Sequence, residues 1–171
     1  GPAYLKTVNT NTFTVISRVD PVDQNDAEDN MQFDAYVIEN LNIRANSNQI
    51  LLSINSSYMS IIRNCFFTEG AKQLDLQFCM KASVENCHFR SCSGISLDIG
   101  YGVGKWAFAS NGNASTQSNG TSVKNCRFVC NYLNAVPVFV NGCDNIVIEE
   151  CVWEGPTDPE YNVIFDAGAY T

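Results

Sequence analysis

Two aspartates, Asp75 and Asp98, have the residue type and spacing that best fit acid–base chemistry. Each lies in a short segment that alternates apolar and polar residues, at 74–78 and 95–99. In such a strand the polar residues face away from the core. On neighbouring strands, in diagonal positions, the two Cβ atoms would be about 7 Å apart. Glycosidases hold two carboxyl groups about 5–9.5 Å apart, so Asp75 and Asp98 are candidate catalytic residues; the alternative is two surface carboxylates without catalytic function.

A second candidate site is a long insertion at residues 100–120, rich in Gly, Asn and Ser. Long loops on a rigid scaffold often carry function. Aromatic rings can stack on sugar faces, while amides and hydroxyls can bond sugar hydroxyls. The predicted ligand-binding residues are Tyr101, Lys105, Trp106 and Phe108, together with Gln77 on the outward side of a nearby strand. In the alternative interpretation, the aromatic residues only pack the loop against the wall.

A repeated motif must position these residues. It consists of an aliphatic residue, a charged residue, Asn, Cys, any residue and an aromatic residue. Three copies lie at 62–67, 84–89 and 123–128, with looser copies at 38–43 and 148–153. The intervals are 24, 22, 39 and 25 residues. A period in the low twenties is typical of one β-solenoid coil, and the longest interval is one coil plus the insertion.

An alternating segment follows each motif, so each coil is predicted to hold three short strands separated by Gly, Asn and Ser. The sequence therefore predicts an all-β parallel β-helix of about five coils. Residues 35–171 form the coils, and residues 1–34 form an N-terminal strand at 12–18 and an acidic loop or cap. We expect an excised piece of a longer protein, or an end covered by partner subunits.

The repeat also predicts three columns along the helix axis. The Asn residues adopt left-handed geometry in a turn, and their amides stack from coil to coil. Cys65, Cys87, Cys126 and Cys151 point inward as core residues, the alternative being a disulfide or a reactive role. A disulfide between Cys92 and Cys130 is possible but undetermined. The charges before the Asn alternate in sign, which favours strand pairing, at Glu39, Arg63, Glu85, Lys124 and Glu149.

Composition excludes several kinds of partner. The 171 residues carry a net charge of −8 and no basic stripe, so nucleic acid is not expected. No apolar run approaches the roughly 20 residues that span a bilayer, so membrane insertion is not expected. One His and no Cys-x-x-Cys pair argue against a structural metal, and we expect no cofactor. That His, His88, is predicted to face outward between Phe66 and Arg127.

The Asn-Cys-x-Phe units and the alternating strands between them resemble the pectin-lyase-like superfamily of right-handed β-helices, over about residues 35–168. That superfamily includes polysaccharide lyases, polygalacturonases and bacteriophage tailspikes. The resemblance implies a right-handed single-stranded β-helix. For the tailspike branch it also implies a homotrimer on a virion tail, or outside the cell, that binds a host-surface polysaccharide. The arginine signature of pectate lyases and the Asp cluster of polygalacturonases are not found.

Three functions therefore compete. The first is a non-catalytic attachment or structural segment of a viral tailspike or tail fibre. The second is a polysaccharide depolymerase, a glycoside hydrolase or lyase that uses the outward carboxylates. The third is a secreted cellular adhesin. The missing enzyme signatures favour the first over the second.

Overall fold

The computed structural model describes residues 4–9, 12–16, 35–100, 118–155 and 163–166, and every regular element in these ranges is a β-strand. Within them no helix could cross a membrane. The strands are β1 Tyr4–Asn9, β2 Thr12–Ile16, β3 Val37–Glu39, β4 Asn42–Arg44, β5 Ile50–Tyr58, β6 Ile61–Arg63, β7 Phe66–Thr68, β8 Lys72–Met80, β9 Ser83–Glu85, β10 His88–Arg90, β11 Ile95–Gly100, β12 Ser122–Lys124, β13 Arg127–Val129, β14 Val136–Asn141, β15 Val147–Glu149, β16 Val152–Glu154 and β17 Val163–Asp166.

Strands β3 to β17 form three parallel sheets of five strands each. Sheet I contains β3, β6, β9, β12 and β15; sheet II contains β4, β7, β10, β13 and β16; sheet III contains β5, β8, β11, β14 and β17. The chain passes through sheets I, II and III before it starts the next coil. About four turns of a right-handed parallel β-helix result, with three strands per coil, which confirms the predicted fold. The five expected coils correspond to the five strands of each sheet.

One buried aromatic column shows that the coils lie in register. The rings of Phe67, Phe89, Phe128 and Trp153 stack inside sheet II, with centroids 4.8–4.9 Å apart. This distance equals the usual spacing of adjacent strands. The three phenylalanines are fully buried, and the ring of each coil packs directly on the ring of the next.

The predicted Cys column is confirmed, with Cys151 of the last coil half-buried against the same core. Cys65, Cys87 and Cys126 are buried and follow paired strands of sheet I. Each Sγ lies 3.3–3.4 Å from the carbonyl oxygen two residues earlier. All eight cysteines are free, so the Cys92–Cys130 disulfide that the sequence left open is not formed.

The turn between sheets I and II has the predicted left-handed residue. Asn40, Asn64, Asn86 and Asn125 have φ between 51° and 59°, and Glu150 takes the same position in the last coil at 54°. The Asn64 Nδ2 donates to Asn40 Oδ1 at 3.4 Å, and Asn125 Nδ2 donates to Asn86 Oδ1 at 2.6 Å. Amide stacking is therefore confirmed for these two pairs.

The alternating charges of sheet I stand directly opposite one another, as predicted. Arg63 Nε lies 2.6 Å from Glu39 Oε2, and Lys124 Nζ lies 3.1 Å from Glu149 Oε1. These side chains are about half exposed, so each pair contributes little to stability. The main effect of these pairs is to favour the observed strand register, in which opposite charges face each other.

The N-terminal residues form an antiparallel hairpin of β1 and β2. Strand β2 matches the strand predicted at residues 12–18, although its described part ends at Ile16. Strand β1 was not predicted, because its six residues belong to no repeat and pair only with β2. The domain division after residue 34 stays a prediction.

Candidate functional site

The outward side of sheet III carries both candidate aspartates. We call its hydrogen-bonding side chains the polar wall, formed by Ser53, Asn55, Asp75, Gln77 and Asp98. Asp75 pairs directly with Asp98, and Gln77 pairs with Gly100. The diagonal arrangement expected from the sequence is therefore wrong. A shift of two residues in β8 leaves every side chain on its predicted face, so the alternating pattern could not fix this register.

A lysine joins the two aspartates. Lys72 Nζ lies 3.1 Å from Asp75 Oδ1 and 2.5 Å from Asp98 Oδ2. We call these three residues the lysine–aspartate triad. Gln77 Nε2 donates to Asp75 Oδ1 at 2.5 Å, and Ser53 Oγ donates to Asp75 Oδ2 at 3.2 Å. The triad therefore links β8 and β11, and the bond from Ser53 ties it to β5.

The two aspartates are outward-facing but buried, each with 7% of its surface exposed. Two adjacent carboxylates out of water need a neutralising partner, and the Lys72 ammonium provides it. Burial raises the pKa of Asp98, the Lys72 ammonium opposes this effect, and the Asp75 charge adds to it. For Lys72, burial lowers the pKa, but bonding to Asp98 and Asp75 outweighs it, so the pKa is raised.

The triad has two possible chemical roles. A carboxyl with a raised pKa beside a second carboxylate is the pattern of an acid–base pair. A network in which the oxygens bond to neighbours is also typical of structural ion pairs. Both Asp75 oxygens are engaged, whereas Asp98 Oδ1 bonds to no other described residue. Of the two candidates, Asp98 is therefore the better placed to act as an acid.

The insertion at residues 100–120 is tied to the helix at its base. Ser118 Oγ lies 2.7 Å from Gly100 O and 3.2 Å from Leu76 O, and it accepts a bond from Cys79 N at 2.9 Å. Thr121 Oγ1 then donates to Ser118 O at 2.9 Å. Ser118 and Thr121 are fully buried, so both ends of the insertion are fixed against β8.

Of the predicted ligand residues, the structure describes Gln77 alone. Gln77 lies on the polar wall, and a Cβ at Gly100 would come within 3.0 Å of its Oε1. The insertion therefore leaves β11 directly beside Gln77. The other four predicted ligand residues, Tyr101, Lys105, Trp106 and Phe108, lie outside the described residues.

A scan against protein-family models, a search of curated proteins and a search of solved structures each found no match. The structure supports the resemblance to pectin-lyase-like proteins as far as the parallel β-helix itself. In the part of the chain that is described, no group of three or more His, Cys, Asp or Glu side chains could hold a metal ion.

Sequence reasoning missed two residues of the site, Lys72 and Ser118. Lys72 had a usable signal, because it is the one basic residue in the strands of sheet III, which also contain Asp75 and Asp98. Two acids facing one cation on a sheet predict an ion network. Ser118 had no such signal, because it is one of many small polar residues in the insertion.

Proposed function

We propose that the chain is an attachment segment of the viral tailspike or tail-fibre type, which binds a host-surface polysaccharide. In this proposal it works as a homotrimer on a virion tail or outside the cell. The parallel β-helix supports the proposal, because it provides a rigid, elongated surface on which binding groups repeat at the strand spacing of about 4.8 Å.

The observation that carries the proposal is the tether at Ser118. Its bonds to Gly100 O and Leu76 O hold both ends of an aromatic insertion beside the amide of Gln77. A loop fixed at its base loses less conformational freedom on binding than a free one. Rings that stack on sugars, next to amides and hydroxyls that bond them, are the groups that a polysaccharide site needs.

The polar wall extends this site along the helix axis. Gln77 is paired with Asn55 in the preceding coil, and Asp75 is paired with Ser53. Side chains with amide and hydroxyl groups therefore follow one another from coil to coil. A sugar chain that lies along the axis would meet a hydrogen-bonding group at each of the first three coils.

Binding to a panel of capsular polysaccharides and lipopolysaccharides tests the proposal. We expect Trp106→Ala and Gln77→Ala each to weaken binding about 10-fold, the loss of one stacking or hydrogen-bonding contact. Tyr132→Ala, an exposed aromatic in the turn between β13 and β14, is the matched control and should bind normally. A panel with no bound glycan, or equal binding by all variants, would contradict the proposal.

The trimer is tested separately by mass in solution. We expect three times the chain mass of 18.9 kDa. A monomer at micromolar concentration would contradict the proposed trimer. It would not affect the proposed binding site, which the glycan panel tests.

The second candidate function, a depolymerase, is favoured by one observation, the raised pKa of Asp98 beside a second carboxylate. Release of reducing ends from a bound polysaccharide would reveal it. Asp98→Asn should then abolish cleavage and leave binding intact, whereas release that survives in Asp98→Asn would exclude this carboxyl as the acid.

A further inference from the structure

The outer face of sheet II has a charge opposite to that of the chain as a whole. Ten residues of its strands point outward: Asn42, Arg44, Phe66, Thr68, His88, Arg90, Arg127, Val129, Val152 and Glu154. These include three of the five arginines in the sequence, its one histidine and a single acid. On a chain with a net charge of −8, this face is a local positive patch.

The pairing of these arginines differs from that of the charges on sheet I. There, basic and acidic residues alternate along one column. On sheet II, Arg44 pairs with Glu69, and Arg127 pairs with Glu154. Arg90 stands between Thr68 and Val129, and its guanidinium makes no ion pair or hydrogen bond with another described residue. An exposed arginine without an acid opposite it contributes little to strand pairing.

An aromatic surface lies beside Arg90. The rings of Phe66 and His88 are in contact, with centroids 4.3 Å apart and planes at 64°. His88 is on the same side of β10 as Arg90, and Arg127 pairs with His88 from the next coil. Burial, with the charges of Arg127 and Arg90, lowers the pKa of His88. His88 is therefore mostly neutral at neutral pH, and the arginines carry the positive charge of this face.

We infer that the outer face of sheet II is a second binding site, for the sulfate or carboxylate groups of an acidic polysaccharide. Arg90 is its principal anion contact, and Phe66 and His88 form the surface under the sugar ring. A guanidinium offers two parallel donors that match the oxygens of such groups. The site lies on a different face from the polar wall and the insertion, so it is tested independently of the function proposed above.

A polysaccharide fits this face better than a second protein does. Protein interfaces depend on a central apolar or aromatic cluster that is fully desolvated. Here the centre holds Arg90 and Arg127, both exposed, and the exposed apolar residue, Val152, lies on the last strand of the sheet. Arg90 and Arg127, on adjacent strands, instead offer two guanidinium groups to a polymer that carries repeated anions.

Dextran, carboxymethyl dextran and dextran sulfate test the inference, because they share one backbone and differ in charge. We expect the full chain to bind at least one charged polymer, with a preference that identifies the group, and not to bind dextran. Binding should fall at high salt, where screening shortens the range of the charges. Arg90→Gln should weaken binding about 10-fold, the loss of one charge-assisted contact.

Arg63→Gln is the matched control, since it removes the same charge from an exposed site on sheet I, and it should change binding less than about 2-fold. Equal losses in the two variants would mean that binding follows net charge alone, which overturns the inference. Equal binding of dextran would also overturn it. A change in the mass of the protein in Arg90→Gln would assign the face to a second copy of the chain instead. Thermal melts of both variants verify that they fold.

Discussion

The inside of sheet II and the outside of sheet III follow opposite rules. Inside sheet II the same residue type repeats in successive coils, as Phe67, Phe89 and Phe128. Outside sheet III each coil places a different residue at the equivalent position, in the order Ser53, Asp75, Asp98 and Phe139. Repetition therefore marks positions at which one coil packs on the next. Variation marks positions that respond to local contacts, which is where specific chemistry can develop.

The largest expected effect comes from removing one of the stacked phenylalanine rings inside sheet II. Phe89→Ala removes a fully buried ring that stacks on Phe67 and Phe128. We expect a loss of about 3–5 kcal/mol in the free energy of unfolding, typical of a large cavity. Phe66→Ala, on the outward side of the neighbouring strand, should cost about 1 kcal/mol or less. Urea denaturation measures both, and similar losses would contradict the distinction between the two faces.

The second largest effect is expected on the outside of sheet III, where the residue differs from coil to coil. Lys72→Met leaves Asp75 and Asp98 buried together without a cation. The side chain of Lys72 is 23% exposed, so we expect a loss of about 1–3 kcal/mol at pH 7, less than for a fully buried pair. Lys124→Met, which breaks an exposed pair of sheet I, should cost far less, because solvent screens that pair.

The pH dependence of Lys72→Met sharpens this test. A carboxyl with a raised pKa, as in Asp98, binds its proton more tightly in the folded state, so stability falls as pH rises through its titration. Without the ammonium this dependence should be steeper. We expect Lys72→Met to recover stability when the pH is lowered from 7 towards the ordinary aspartate range, and Lys72→Met/Asp98→Asn to lose this recovery. A variant equally stable at both pH values would contradict the coupling.

A smaller effect concerns the turn between sheets I and II. Asn86 has φ 52° and accepts a 2.6 Å bond from Asn125 Nδ2. Alanine adopts left-handed geometry less readily than Asn and cannot accept the bond. We therefore expect Asn86→Ala to lower the free energy of unfolding by about 1–2 kcal/mol. Asn42→Ala, an exposed position on β4, is the control and should cost little. A thermal melt measures both.

The smallest effect should be a gain. Glu150 occupies the left-handed position where the preceding coils have Asn, and Asn adopts that geometry more readily. We expect Glu150→Asn to raise the free energy of unfolding by about 0.5 kcal/mol. Its exposed contact with Lys124 at 3.9 Å is too long to offset the gain. A loss of stability would mean that this contact matters more than the backbone.

The sequence predicted the features that repeat with the coil. The motif around Asn64 and Asn86 established the period, the left-handed turns and the inward cysteines, because each depends on a few neighbouring residues. The register of β8 could not be predicted, because a strand has a side-chain period of two and a shift of two residues changes no face. That shift decides whether Asp75 lies opposite Asp98 or diagonal to it. The tether at Ser118 was also inaccessible, since it depends on contacts between residues far apart in the chain.

The reaction of the free thiols with a reagent would show when the coils of the β-helix separate. Burial raises the pKa of Cys79, Cys130 and Cys143 to about 11, so reactive thiolate is scarce at neutral pH and exposure decides which thiol reacts first. Cys143 and Cys151, on the two sides of β15, are partly exposed, whereas Cys87 is buried in the middle of the stack. A thiol reagent added to the folded protein should therefore modify the last coil first, and the delay before Cys87 reacts would time the separation of the coils.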